Sequence, residues 1–200
     1  MSVGGAVSVR AAGLAPAARL LAGWWSRPTP GEVERWALSW PDAYDTAQVF
    51  ELRTDGVAEL EAALEASRGE LLLEEYERLL VGPGRAPCPP YESLWRADQP
   101  RREQGRLMGA AAGDVARIYL DLGLQVRTDA HELPDHVAVE WEALAYAFEH
   151  DAAEASVDLA RAHLAVWMSP FCAAVAAETE QSFYTALARL TPEWTAALAG

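Results

Sequence analysis

Between Thr128 and Asp158 the chain carries nine acids (Asp129, Glu132, Asp135, Glu140, Glu142, Glu149, Asp151, Glu154 and Asp158) and no arginine. Most of these suit a solvated helix surface, Glu142 and Glu149 among them. Asp135, His136 and Glu140 differ: they crowd the start of one helix, His136 and Glu140 stand four apart on one side, and a connector precedes them. Carboxylates so placed suit a guanidinium, whose planar fork of N–H donors matches carboxylate geometry. No covalent chemistry stands beside them. A Walker-type phosphate loop needs a lysine, and the chain has none; nor is there a Gly-x-Ser-x-Gly. Gly82-Pro83-Gly84 follows a helix and is too short and proline-bound for a dinucleotide fingerprint. His131 and His136 stand five apart with Pro134 between them, so they cannot share a helical face as a His-Glu-x-x-His zinc box requires. No catalytic residue, metal site or cofactor is expected.

Helices must position these residues. Alanine, the best helix former, makes up a fifth of the chain, and alternating β-branched runs are nearly absent. Apolar spacing predicts helices over Leu14 to Trp25, Glu32 to about Trp40, Val57 to Ser67 and Glu70 to Val81. Residues 82–90 hold four prolines and two glycines and must form a loop. A long helix is expected over residues 101 to 123, with Leu107, Ala111, Val115, Ile118 and Leu122 inward, then a connector over 125–133. The next helix is expected to open on Pro134, with Asp135 in its first turn and Val137, Trp141, Leu144, Ala145 and Phe148 on its inward stripe. The last helices align Leu164, Trp167, Phe171 and Val175, then Phe183, Leu187 and Leu190. His163, four residues before Trp167, reads as packing. The fold class is all-α: a bundle of about eight to ten helices over 14–200 behind a flexible N-terminus at 1–13. It forms a single domain, or two helical halves joined by a hinge near 125–135.

Composition narrows the partners. All sixteen basic residues are arginine, against thirty acids, for a net charge of -14 over 200 residues. Such a chain is repelled by nucleic acid and anionic lipid and attracts basic partners. A chain this long buries roughly 70% of its unfolded surface and needs no staple. Cys88 and Cys172 stand alone, as reduced or buried thiols of a cytosolic protein do. The N-terminus lacks the apolar core of a secretory leader, and the apolar runs fall short of the ~20 residues that span a bilayer. The expectation is a cytoplasmic protein that does not insert into membranes.

Three blocks resemble a known family. Tyr76-Glu77-Arg78-Leu79-Leu80-Val81-Gly82-Pro83-Gly84, ending in Pro89-Pro90-Tyr91-Glu92-Ser93-Leu94-Trp95, resembles the loop signature of the TorD/DmsD/NarJ family of cytoplasmic chaperones for molybdenum oxidoreductases. Leu133-Pro134-Asp135-His136 is similar to that family's Glu-Pro-Asp-His hinge. Ala162-His163-Leu164-Ala165-Val166-Trp167, then Phe171 and Phe183-Tyr184-Thr185-Ala186-Leu187, match a third block in family order. Two departures bear on peptide specificity: Tyr91 stands where the family usually has Trp, and Leu133 stands where it has Glu, with the acid Glu132 one position earlier. The resemblance implies a non-enzymatic chaperone that binds the twin-arginine leader and apo form of a molybdopterin-dependent oxidoreductase. It would assist cofactor insertion and delay export until maturation. Asp135, His136 and Glu140 would supply the charged end of the leader site; Tyr91, Trp95, Pro89 and Pro90, with Ser93 among them, would supply the apolar wall. Tyr91 and Trp95 equally suit a cap on the core beneath the proline loop. Two other readings stay open, a guanine-nucleotide-binding maturation factor and an acidic helical adaptor of a redox complex, as do a monomer and a dimer swapped through the connector. On this reading the core does not need Asp135 or His136, so replacing both by Ala should leave melting nearly intact while leader binding falls.

Overall fold

The computed structural model describes residues 4–67, 69–82, 86–101, 104–126 and 132–200, with side chains from Leu14 onward. Among the described residues the fold is ten helices and no strand. Helix α1 spans Gly4–Trp24, beginning well before the expected Leu14. Thr29 then caps α2 (Pro30–Leu38): its hydroxyl accepts from the Glu32 N–H at 3.3 Å, and Pro30 sits at the helix start where no N–H is needed. Pro41, expected to end this helix, instead helps to open α3 (Trp40–Val49) after a break at Ser39. Helix α4 covers Thr54–Ala66 and α5 begins at Gly69–Tyr76, continuing as a π-helical turn over Glu77–Val81. The single-turn α6 is Glu92–Trp95.

The long helix expected over 101–123 is only its second half, α7 (Ala110–Asp121). Gly105 and Met108 take left-handed backbone with φ of 68° and 57°, which no helix continues through, and Leu107 is exposed rather than inward. Helix α8 (Val137–Glu149) starts three residues later than predicted, because His136 rather than Leu133 is its cap. Asp135 therefore lies outside the helix, not in its first turn. Helix α9 is continuous over Ala153–Glu178 with a π-helical stretch at Asp158–Leu164, and α10 is Ser182–Ala199. By length and composition α9 could cross a membrane, but half of its most apolar window is buried in this bundle.

The core fills the space between α1 and α8, which lie side by side, and between α9 and α10. Every residue of the predicted α8 stripe is buried, as are those of α9 and α10. Large aromatics dominate, each removing roughly 150–250 Å² from water. Trp36 stacks on Phe183 with centroids 5.2 Å apart, and Trp24 packs against Trp40 and Trp194. Phe171 gathers Trp25, Trp95 and Trp167 around it. Trp25 satisfies its buried N–H on the Thr191 hydroxyl at 3.1 Å. Cys88 and Cys172 are both buried and unpaired with each other.

Candidate functional site

Consecutive prolines cannot donate to a ladder and hold the chain extended. Pro89 and Pro90 do so here and deliver Tyr91 as extended backbone, φ -125° and ψ 125°. That strand-like residue meets its match across the fold: Tyr91 and His136 form an isolated antiparallel bridge. The Val137 N–H donates to the Pro90 carbonyl at 2.9 Å and the Glu92 N–H to the Asp135 carbonyl at 2.9 Å. Two loops about forty residues apart are thus zipped together. The Asp135 carboxylate completes the junction by accepting from the Ser93 N–H at 3.1 Å. It caps α6 from another part of the chain, as an N-cap residue would cap its own helix.

His136 caps α8. Its Nδ1 accepts from the Ala138 N–H at 3.2 Å, so that nitrogen carries no proton and Nε2 holds the hydrogen, 3.6 Å from Glu132 Oε2. Burial pushes the imidazole down to about 4 and keeps it neutral. The Tyr91 ring stands edge-on to it at 5.4 Å, with the phenol donating to Glu132 at 3.4 Å. Burial raises the Glu132 carboxyl above its ordinary range.

Behind this junction lies a buried charged network. Glu92 is wholly buried; it accepts from Arg96 Nη1 at 2.7 Å and lies 2.9 Å from His163 Nδ1. Arg96 also forks onto Asp98 and donates to the Ala162 carbonyl at 2.9 Å. The π-helical stretch of α9 carries His163 into this place; such insertions often mark functional positions. Glu140, fully buried, accepts from Trp167 Nε1 at 3.3 Å, and burial pushes its pKa well above the ordinary carboxylate value. Glu140 Oε1, Asp135 Oδ1 and Ser93 Oγ have no partner among the described residues. At the rim, Trp95 is half-buried; its indole donates to the Pro89 carbonyl at 2.6 Å and its ring meets the edge of Phe171. Tyr119 of α7 donates to the Pro134 carbonyl at 2.8 Å.

The structure brings all eight sequence-predicted residues into one cluster, but not all onto the surface. Tyr91, Trp95 and Pro89 are partly exposed, whereas Asp135, Glu140, Ser93 and Pro90 are buried and His136 nearly so. Asp135 and His136 belong to the frame, contrary to the expectation that the core does not need them: one caps α6 and the other caps α8. Sequence reasoning passed over Glu92 and Arg96 and took His163 for packing. The available signal was their spacing, since Glu92 and Arg96 stand four apart on α6 directly after the prolines. His131 of the near-zinc pattern, and much of the connector over 125–133, lie outside the described residues. Among the described residues no cluster of three or more potential metal ligands occurs.

Fold and site together define a helical bundle in which a braced loop–hinge junction holds a strip of half-exposed aromatic side chains. The chain belongs to the nitrate reductase delta subunit family, whose profile it matches over residues 51–173. Its relatives include the chaperone protein TorD of Shewanella pealeana, 29% identical over 75% of this chain and 74% of that one. The Tat proofreading chaperone DmsD of Salmonella typhimurium is 26% identical, over 82% of this chain and 74% of its own. A crystal structure of an Archaeoglobus fulgidus protein assigned to redox enzyme maturation shares the fold with a TM-score of 0.62, at 22% identity over 89% and 91% of the two chains.

Proposed function

We propose that this protein is a cytoplasmic chaperone for a molybdopterin-dependent oxidoreductase, one that binds the client's twin-arginine leader and apo form, assists cofactor insertion and delays export until maturation is complete. The similarity to chaperones named TorD and DmsD supports a maturation role, and relatives of that kind fit a protein that binds rather than catalyses. One observation carries the location of the site: the Tyr91–His136 bridge, which fixes the aromatic strip against the start of α8.

In this reading the leader's apolar segment lies on Pro89, Tyr91 and Trp95. Glu132, its side chain 35% exposed beside Tyr91, faces a leader arginine. Asp135, His136, Glu140, Ser93 and Pro90 act beneath the surface and position it. Calorimetric titration with a synthetic client leader tests this. Tyr91→Ala and Glu132→Gln should each weaken binding about tenfold, the worth of one ring contact or one screened ion pair of about 1.4 kcal/mol. Unchanged affinity in both variants, with native helicity, would remove the loop–hinge junction from leader recognition.

A further inference from the structure

Helix α6 is a single turn, too short to hold itself, because helix formation repays its costly first turn only over many residues. It is held from outside instead. The Asp135 carboxylate caps it at the Ser93 N–H, and Arg96 grips its other end. The guanidinium donates from Nε and Nη2 to Asp98 at 2.8 and 2.6 Å, and from Nη1 to Glu92 at 2.7 Å and the Ala162 carbonyl at 2.9 Å. Four of the five N–H donors of the planar fork are thus spent, which leaves the group one arrangement. Its side chain is 15% exposed, against 42% or more for the other paired arginines among the described residues. Both anchors on α9, the Ala162 carbonyl and the His163 ring 2.9 Å from Glu92, lie in the π-helical stretch Asp158–Leu164.

We propose that Arg96 is a positioning residue for the aromatic strip: with the π-helical stretch of α9 it fixes how α6 is rotated, and so which edge of Trp95 is offered to a client's apolar segment. Trp95 directly precedes Arg96 in the chain. Its ring is tethered at the rim by the indole N–H on the Pro89 carbonyl at 2.6 Å and by the edge of Phe171 at 5.7 Å between centroids. Consecutive side chains of a helix diverge by about 100°, so even a small roll of α6 swings the indole across the strip. A buried ion pair is often no more stabilising than apolar packing of the same volume, whereas a saturated fork admits a single geometry. Lysine cannot take its place, since an ammonium donates from one point and does not span Asp98, Glu92 and Ala162 together. Arg96 touches no client group, its donors being spent on its own fold. That a client segment meets Trp95 rests on the leader reading; the hold on α6 does not.

The test is a cycle of Arg96→Lys and Trp95→Ala in the full chain, titrated calorimetrically with acetyl-Arg-Arg-Ser-Leu-Leu-Ala-Leu-Leu-Ala-amide, two arginines ahead of an apolar run. Trp95→Ala should weaken binding about tenfold and Arg96→Lys about fivefold, each with native helicity. In the Trp95→Ala background Arg96→Lys should weaken it no further, because a residue that acts through the ring has nothing left to position. A residue that only stabilises the fold would cost affinity equally in both backgrounds. The ¹⁵N NMR signal of the Trp95 indole, assigned by its loss in Trp95→Ala, should move in Arg96→Lys, while those of Trp25 and Trp194 stay. Asp98→Asn, at an exposed residue, loosens the outer arm alone and should move the Trp95 signal the same way by less, so the test survives an Arg96→Lys that fails to fold. An unmoved Trp95 signal, or equal losses in the two backgrounds, overturns the role of Arg96. Unchanged affinity in Trp95→Ala alone overturns the leader reading at that ring instead, and a moved indole signal then still upholds Arg96 as the residue that sets it.

Discussion

Asp135 gives its backbone oxygen to Glu92 and a carboxylate oxygen to Ser93, so side-chain loss strips one cap and strands a buried N–H. Asp135→Ala should therefore destabilise the protein by about 1–3 kcal/mol, while Asp135→Asn, which keeps an acceptor oxygen, should cost less; thermal melts of the two variants decide this. Two further groups make stability depend on pH in opposite senses. His136 holds no proton inside until about pH 4, whereas its unfolded counterpart protonates near 6.5. Its contribution is full above pH 6.5 and is lost as pH falls from there to about 4. Glu140 is the reverse: burial keeps its proton on, the unfolded chain releases one above the ordinary 4.5, and stability declines as pH rises from there. Glu140→Gln should melt like the parent near pH 5 and higher by roughly 2–4 °C at pH 8, the shift about 1 kcal/mol makes in a chain of this size. A variant that melts equally with the parent at both values would mean the Glu140 proton has no energetic consequence. Residue types at this site were legible in the sequence; their direction was not. Whether a carboxylate at a helix start faces water or a distant N–H depends on a partner such as Ser93, which no local pattern names.

Helix periodicity identified α4, α5, α8 and α10 because each carries an apolar stripe long enough to outvote its neighbours. It failed where backbone exceptions govern. Pro41 opens α3 instead of closing α2, and the left-handed Gly105 and Met108 cut α7 short, though the apolar pattern runs through both places. The two π-helical insertions carry no sequence mark, yet one leads into the glycine that starts the proline loop and the other swings His163 onto Glu92. Gly82 has φ 59°, and a Cβ there would lie 3.0 Å from Ala86 Cα, too close for ordinary contact. Gly82→Ala should cost about 1–2 kcal/mol or more from the left-handed backbone alone. Urea unfolding would show it as a lower midpoint with an unchanged slope. An unchanged midpoint would mean that the turn can relax without loss.

At the scale of the molecule, the fold class, the absence of lysine and the acidity were all readable at once, since each is a sum over many residues. The meeting of residues 89–95 with 132–140 was readable only through family resemblance, because it is a contact across the fold. Net charge predicts kinetics: raising salt from about 0.05 to about 0.5 M should slow leader association more than it speeds dissociation, because screening acts on the approach. Stopped-flow rates at the two salts measure it; an unchanged association rate would place the acidity outside recognition. The two cysteines add a pair of built-in clocks. Cys88 sits where the chain returns from the proline loop, its N–H on the Leu79 carbonyl at 2.8 Å and its thiol raised to about 11 by burial. Cys172 lies inside α9, and burial raises its thiol further. An alkylating reagent thus reaches Cys88 when the loop alone lifts, and Cys172 only when the bundle comes apart. Mass spectrometry of the two modified peptides over time would time both motions in unmodified protein. A bound leader should slow the first clock and leave the second to run at the pace of global unfolding.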